Sequence, residues 1–261
     1  MAIGLIGGSG LYEIEGLTLL REVSLSTPFG EPSAPYRIGV FGGSEVVFLA
    51  RHGTPHRFPP HRVNYRANIW GFKSLGVERI ITVSAVGGIN RDMPPGSLVL
   101  LDQLIDMTYG TRPSTFYEGE KVVHVDFTDP YCAGMREYLL TASRTSGIPL
   151  VAGGTYVCVN GPRLETAKEI QFFASIGADV VGMTAMPEAS LAREAELCLA
   201  GIAVVTNRAA GISGGKLTTT EVVETMRSSL VALKTLLGDV LSLIPPSRGC
   251  ACKDALQDSF L

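Results

Sequence analysis

The chain reads as an α/β layered domain around a largely parallel sheet, and three observations predict it. Short apolar runs of strand length recur along the 261 residues, and amphipathic stretches of helical period lie between several of them. Most of those stretches stop at a glycine or a proline, as helices do. No internal repeat, low-complexity block or linker appears before Pro245-Pro246. The expected organisation is one domain over 1–246 and a short tail over 247–261.

The strand candidates, in order, are Ile3–Ile6, Val46–Ala50, Arg79–Val83, Leu98–Leu101, Val151–Val159, Val180–Val181 and Ile202–Thr206. The first helical pattern, Asn64–Leu75, carries Ala67, Ile69, Trp70 and Phe72 and stops at Gly76. Met135–Ser146 stops at Gly147 and Thr166–Ile176 at Gly177, while Pro187–Glu196 opens with proline at a first helical position. A long amphipathic segment, Thr219–Ile244, closes the domain and is halted by the two prolines. In sheets of this kind, ligands bind where the loops after strand ends converge.

Composition narrows the classes. Hydrophobic residues make up 46% and charged residues 18%, with 30 glycines, which fits a compact chain with many tight turns. The formal charge is -3 and the pI is near 5.8, so bulk charge favours neither nucleic acid nor an anionic membrane. A small anionic ligand must be held by local donors. The N-terminus lacks the basic start of a signal peptide, and no apolar stretch reaches bilayer length. A soluble cytoplasmic protein is expected.

Of the five cysteines, Cys132, Cys158 and Cys198 lie in apolar surroundings and read as buried reduced thiols. Cys250-Ala-Cys252 falls on a tail that reads as mobile. Its two thiols stand as plain surface groups, with metal, redox or disulfide chemistry as the alternative.

Four polar segments lie just after predicted strands. Gly7-Gly8-Ser9-Gly10 is either a tight turn or a loop whose backbone N–H groups and Ser9 hydroxyl approach an anion. It lacks the lysine of a P-loop and the spacing of a dinucleotide fingerprint. Arg51-His52-Gly53 offers a guanidinium fork suited to phosphate and a further donor from His52. Three of the four histidines (His52, His56, His61) lie in RHGTPHRFPPHRVNYRAN, which holds no carboxylate and too many prolines for helical ligand spacing. With Arg51, Arg57 and Arg62 there, an anion pocket is the better reading than a metal site. Ser84-Ala85-Val86-Gly87-Gly88 repeats the strand-end logic, and Thr184 stands just before a proline-started helix, where N–H groups face an anion. Ser9, Arg51, Ser84 and Thr184 thus form one consistent set of phosphate donors. Met183 either lies against a sugar or belongs to the core, and His124 is a polar contact or a structural histidine.

Two further residues, Glu165 in NGPRLETAKE and Asn207 in VVTNRAAGIS, carry the specificity argument. A carboxylate accepts hydrogen bonds, whereas a carboxamide both donates and accepts. On one side of a pocket they match the edge of a 6-oxopurine. The ring N1–H donates to Glu165, and Asn207 donates to N7 and reaches O6. Adenine lacks the N1–H and is read poorly.

With these residues in hand, the sequence resembles the trimeric-type purine nucleoside phosphorylases, in the branch of the S-methyl-5'-thioadenosine and S-methyl-5'-thioinosine phosphorylases. The likeness runs through IGLIGGSG, ARHG, HRVNYRANIW, SAVGG, HVDFTDPYC, NGPRLET, VGMTAMPEASLAREA and VVTNRAAGIS, and the CACKDAL tail is similar to those of archaeal-type members. The resemblance implies a three-layer α/β/α fold with a central mixed sheet, assembly as a trimer or dimer of trimers, and phosphorolysis with inorganic phosphate as co-substrate and no cofactor or metal. It implies a phosphate site of Ser9, Arg51, His52, Ser84, Ala85 and Thr184, with Met183 on the ribose hydroxyls and Leu164 near the base. His124 would reach the 5' region, there or in a neighbouring subunit. Thr219, Val222 and Val223 would flank the same region, the valines suiting a methylthio group and Thr219 or Thr220 a 5'-hydroxyl, with a plain helix start and its apolar face as the alternative. The methylthioadenosine enzymes carry aspartate where Asn207 stands, a second aspartate where Ala209 stands, and serine where Glu165 stands. Those departures point to phosphorolysis of methylthioinosine, inosine or guanosine, with S-methyl-5'-thioadenosine phosphorolysis as the alternative. A non-catalytic nucleoside sensor and a water-using nucleosidase compete, but the phosphate donors favour an enzyme and no base for water is evident.

Overall fold

The computed structural model describes residues 2–12, 14–110, 112–119, 121–212 and 218–261. Ser213, which ends the VVTNRAAGIS motif, lies outside them. The strands are β1 (Ile3–Gly7), β2 (Thr18–Val23), β3 (Tyr36–Phe41), β4 (Ser44–Ala50), β5 (Arg79–Gly88), β6 (Leu98–Leu100), β7 (Gln103–Asp106), β8 (Val151–Ala152), β9 (Thr155–Cys158), β10 (Val180–Gly182) and β11 (Cys198–Arg208). The helices are α1 (Tyr65–Ser74), α2 (Ala133–Ser146), α3 (Ala167–Ser175), α4 (Ala185–Glu194) and α5 (Thr219–Leu243). All strands join one mixed sheet. Its main path runs β2-β3-β4-β1-β5-β10-β9-β7, with β11, β6 and β8 branching from β5.

Alternation along the strands sorts side chains into two layers. Ile3 and Leu5 of β1, Val46 and Phe48 of β4, and Ala200, Ile202 and Val204 of β11 pack with Met135 and Leu139 of α2 and Leu233 and Leu237 of α5. Ile6, Val47, Leu49, Ala203 and Val205 face the other way, against Ile69 and Phe72 of α1 and Ala189 and Leu191 of α4. The arrangement is the expected α/β/α sandwich. Each fully buried aliphatic or aromatic side chain in these layers contributes roughly 1.5–3 kcal/mol of transfer free energy.

The helix starts obey local chemistry. The Asn64 side chain accepts from Ala67 N at the head of α1. Thr166 and Glu169 form a reciprocal capping box on α3. Gly147 ends α2 at φ 70°, where an L side chain is strained. In α4, Met186 departs from helical geometry (φ -108°, ψ 134°), so the regular helix begins at Pro187.

Three strands, β2, β3 and β7, escape the sequence reading. β2 is an edge strand, exposed along most of its length, so it carries little apolar periodicity. The run Val151–Val159 is two strands, because Gly153-Gly154 breaks it and Gly154 N donates to Asp102 Oδ1 at 3.0 Å. β5 and β11 extend beyond their predicted ends through the glycines at 87–88 and through Asn207 and Arg208.

The tail departs most from expectation. Residues 247–261 lie against the domain: Arg248 Nη1 donates to Glu196 O at 2.6 Å, Cys252 is buried, and Phe260 forms a β-bridge with Val123. Cys250 and Cys252 therefore do not sit on a free surface segment. No helix among the described residues is long and apolar enough to cross a membrane.

Candidate active site

The site forms where one edge of β5 lacks a neighbour. β11 pairs with β5 along its length, from Arg79 to Gly88. On the opposite edge β1 runs parallel to β5 only as far as Thr82, and β10 pairs antiparallel only with Gly87 and Gly88. Residues 83–86 are left between them, and a cavity of about 440 Å³ lies along that stretch. Its size is in the range of small-ligand sites. Ser84 and Ala85 thus act from within β5 at a split in the sheet, not from a loop beyond the strand end.

The sequence-predicted residues converge here. Ser9, Arg51, His52, Ser84, Ala85, Thr184, Met183, Leu164, Glu165, Asn207, Thr219, Val222 and Val223 all line the cavity. His124 does not. It is exposed, and its backbone N donates to Ser259 O at 2.9 Å beside the tail. A larger open groove of about 850 Å³, lined by Glu15, Arg37 and Lys234, takes Arg57, and Arg62 lines a separate recess, so neither joins Arg51 in an anion pocket as expected.

The floor is built from donors of separate strands. Ser84 Oγ lies 3.3 Å from Thr184 Oγ1. Thr184 occupies the N-cap position of α4, yet its side chain caps nothing, which leaves the hydroxyl facing the cavity. Gly8 closes a turn with Leu11 (Leu11 N to Gly8 O, 3.0 Å). A Cβ on Gly8 would fall 2.7 Å from Arg51 Nη1 and 2.9 Å from Val83 O, so only glycine lets the loop lie over the arginine. The loop is both tight turn and cavity wall.

Arg51 differs from the expected open fork. It is completely buried, and the Glu188 carboxylate grips one edge of it as a bidentate pair, Nε to Oε1 at 2.5 Å and Nη2 to Oε2 at 2.9 Å. Nη1 donates to Val83 O at 3.0 Å, meeting a carbonyl of the unpaired edge. Two of its five N–H groups remain for a ligand. Arg51 is also the one lysine or arginine among the described residues lining the cavity. An anion entering there would meet mainly hydroxyl and amide donors around a charge that Glu188 already balances.

His52 also needs correction as a side-chain donor. Its Nδ1 lies 2.8 Å from Phe58 O. A carbonyl only accepts, so Nδ1 carries the proton and Nε2 of the neutral ring is an acceptor. Burial, with Arg51 adding to it, lowers the His52 pKa to about 4. His56 stacks on His52 with ring centroids 4.3 Å apart and takes its own partner in the Tyr12 hydroxyl at 3.0 Å.

The base-reading candidates, Glu165 and Asn207, line the same cavity. A bulge separates Val205 from Asn207 in the pairing of β11 with β5. Such an extra residue re-aims the side chain next to it. Asn207 Nδ2 donates to Arg208 O at 2.8 Å, and Thr206 Oγ1 donates to Asn207 Oδ1 at 3.0 Å. Because Arg208 O can only accept, the amide nitrogen is fixed on that side and keeps a second N–H. Ala209 lines the cavity too. Glu165 is half-buried beside the Thr166 cap of α3. Burial raises its pKa, opposed chiefly by a hydrogen bond from its own backbone.

Sequence reasoning missed Glu188, Thr206 and Arg112. Arg112 Nη1 donates to Met183 O and Met186 O, both at 2.8 Å, and Nη2 to Asn160 O at 2.9 Å, which ties down the chain around Met183. Glu188 left one signal, a carboxylate directly after Pro187 amid small apolar residues, where a buried acid needs a cation.

Residues 2–242 match the Phosphorylase superfamily. The chain belongs to that family. It is 54% identical over 257 residues to a probable S-methyl-5'-thioinosine phosphorylase of Thermodesulfovibrio yellowstonii, covering 98% of this chain and 96% of the relative. It is 52% identical over 262 residues to a 6-oxopurine nucleoside phosphorylase of Pyrococcus furiosus, covering 98% and 97%. Among solved structures, methylthioadenosine phosphorylase from Schistosoma mansoni in complex with adenine superposes with a TM-score of 0.94 at 34% identity, over 99% of this chain and 98% of that one.

Proposed function

We propose that this chain is a purine nucleoside phosphorylase that cleaves 6-oxopurine nucleosides to the free base and a ribose 1-phosphate. The observation that carries the reading is one cavity lined at once by the Ser9, Ser84, Thr184 and Arg51 donors and by Glu165 and Asn207. The names of the relatives at 54% and 52% identity both denote a 6-oxopurine base. The S. mansoni enzyme is named for a 6-aminopurine nucleoside and holds adenine, and the alternative substrate S-methyl-5'-thioadenosine draws support from that likeness. Against it stand Asn207 and Ala209, neither of which is the carboxylate expected for an amino base.

Phosphate on the floor attacks C1' as the C1'–N9 bond lengthens, and its negative charge stabilises the cationic ribose. The electron pair of the broken bond passes to the purine. The free N–H of Asn207 stabilises the charge arising at N7, an interaction typically worth ~3 kcal/mol in a transition state. Ionised Glu165 accepts N1–H and fixes the base. His52 Nε2 accepts from a protonated phosphate oxygen. Met183 packs on the ribose, Leu164 lies by the base, and Ala85 contributes its backbone N–H to phosphate. At the 5' end Val222 and Val223 suit a methylthio group, whereas Thr219 suits a hydroxyl. The proposed enzyme uses no cofactor or metal in this reaction, acts in cytoplasmic purine salvage, and assembles as a trimer or dimer of trimers in which His124 reaches a neighbouring subunit's 5' region.

The test is base release from inosine with and without inorganic phosphate. Hypoxanthine and ribose 1-phosphate should appear in equal amounts and only with phosphate. Release independent of phosphate would make the protein a nucleosidase, and binding without turnover a sensor.

A further inference from the structure

Away from the cavity, four cysteines gather from three parts of the chain. Cys132 stands at the N-cap of α2, Cys198 opens β11, and Cys250 and Cys252 come from the tail. Their Sγ atoms all lie within 4.8 Å of one another, Cys198 and Cys250 at 3.2 Å. Cys132, Cys198 and Cys252 are buried, Cys250 partly so, and all are free thiols. A tetrahedral zinc–thiolate centre with bonds of about 2.3 Å has sulfur–sulfur edges of about 3.8 Å. The four sulfurs, all within 4.8 Å of one another, are gathered close to that spacing.

The surroundings favour negative sulfur. Cys132 occupies the N-cap of α2, where the positive end of the helix dipole favours an anion. Arg193 Nη1 lies 3.9 Å from Cys252 Sγ and brings a positive charge. Disulfides are neutral and need neither a helix N-terminus nor an arginine. A cation bound by four thiolates leaves two excess negative charges, and these groups offset them.

We propose that Cys132, Cys198, Cys250 and Cys252 form a tetrathiolate site for a soft divalent cation of the zinc type, which pins the C-terminal tail to the head of β11 and the start of α2. Binding displaces the remaining thiol protons and forms four metal–sulfur bonds, with no oxidant or reductant involved. The clamp reaches further through the tail. Beyond Cys252, His124 N donates to Ser259 O at 2.9 Å and Leu261 N to Val122 O at 3.1 Å, so the segment carrying His124 rests on the pinned tail.

The full chain, expressed with added Zn²⁺ and purified anaerobically without chelator, tests this by metal analysis beside the intact mass of an acid-quenched sample. One zinc per chain is expected, with no mass deficit from disulfides. Replacing zinc with Co²⁺ should give the visible and charge-transfer absorption of tetrahedral cobalt thiolate. Cys252→Ser should lose most of the metal, while Cys158→Ser, altering a buried thiol outside the cluster, should keep it. If Cys252→Ser fails to fold, the unaltered chain's stoichiometry and cobalt spectrum still decide. A strong chelator should lower Tm by roughly 5 °C or more. A metal-free chain after reconstitution with Zn²⁺, or one whose four thiols are joined as disulfides, would overturn the proposal.

Discussion

Removing the partner of Arg51 is the sharpest test of how the cavity floor is built. Both Arg51 and Glu188 are essentially inaccessible to water, and two hydrogen bonds join them. Glu188→Gln keeps the shape but replaces one acceptor oxygen with an N–H donor pointing at a guanidinium. The arginine cannot shed its proton, so an unbalanced charge stays buried. Breaking such a pair from one side costs about 3–5 kcal/mol. At about 2 cal/mol/K per residue, the unfolding entropy of this chain is about 0.5 kcal/mol per degree, so Tm should fall by roughly 6–10 °C. Thermal unfolding by circular dichroism at one protein concentration reads this directly. The same variant should raise the KM for phosphate several-fold, because the two unengaged N–H groups of Arg51 lose their fixed aim. A melt within about 2 °C of the unaltered protein, well short of that shift, with phosphate kinetics unchanged, would refute the view that Glu188 holds Arg51 in place.

Three other outcomes are expected of the cavity. Ser84→Ala should raise the KM for phosphate with little effect on nucleoside affinity, read from initial rates at varied phosphate; an effect confined to the nucleoside would contradict the floor assignment. Because burial raises the Glu165 pKa, kcat/KM for inosine should fall on the acid side above the ordinary glutamate value of about 4.3. Glu165→Gln should abolish that limb, and its persistence would assign it elsewhere. For His52 the folded pKa, about 4, lies below the ordinary value of 6.5, so the unfolded chain binds the extra proton first as pH drops. Its contribution to stability is fully present above about pH 6.5 and declines as pH falls toward 4, by at most about 3 kcal/mol. Imidazole NMR should show no His52 titration between about pH 5.5 and 8, whereas a step near 6.5 would contradict its buried neutral form.

Much of this architecture is legible in the sequence because periodicity and punctuation agree. All five helices lie where apolar spacing and caps placed them, within about two residues at either end, and Asn64, Thr166 and Gly147 mark boundaries with side-chain or backbone chemistry. Ser9, Arg51 and Thr184 converge because each follows the carboxyl end of a strand in one sheet, and Ser84 joins them from the unpaired stretch within β5. The features hidden from the sequence are pairwise. Nothing local announces that Glu188 faces Arg51 across 137 positions, or that His52 Nδ1–H donates to Phe58 O. The tail misled for the same reason. Cys250-Ala-Cys252 beside two prolines has the composition of a loose end, and only the fold brings it to Cys132 and Cys198.

In the proposed reaction Glu165 and Asn207 select a keto purine, and a matched comparison of substrates decides whether they do. With saturating phosphate, kcat/KM for inosine and S-methyl-5'-thioinosine should exceed that for adenosine and S-methyl-5'-thioadenosine by about two orders of magnitude or more, since a base lacking the N1–H leaves a buried acceptor unpaired. Asn207→Asp should narrow that gap. Equal cleavage of amino and keto nucleosides by the unaltered chain would contradict the account.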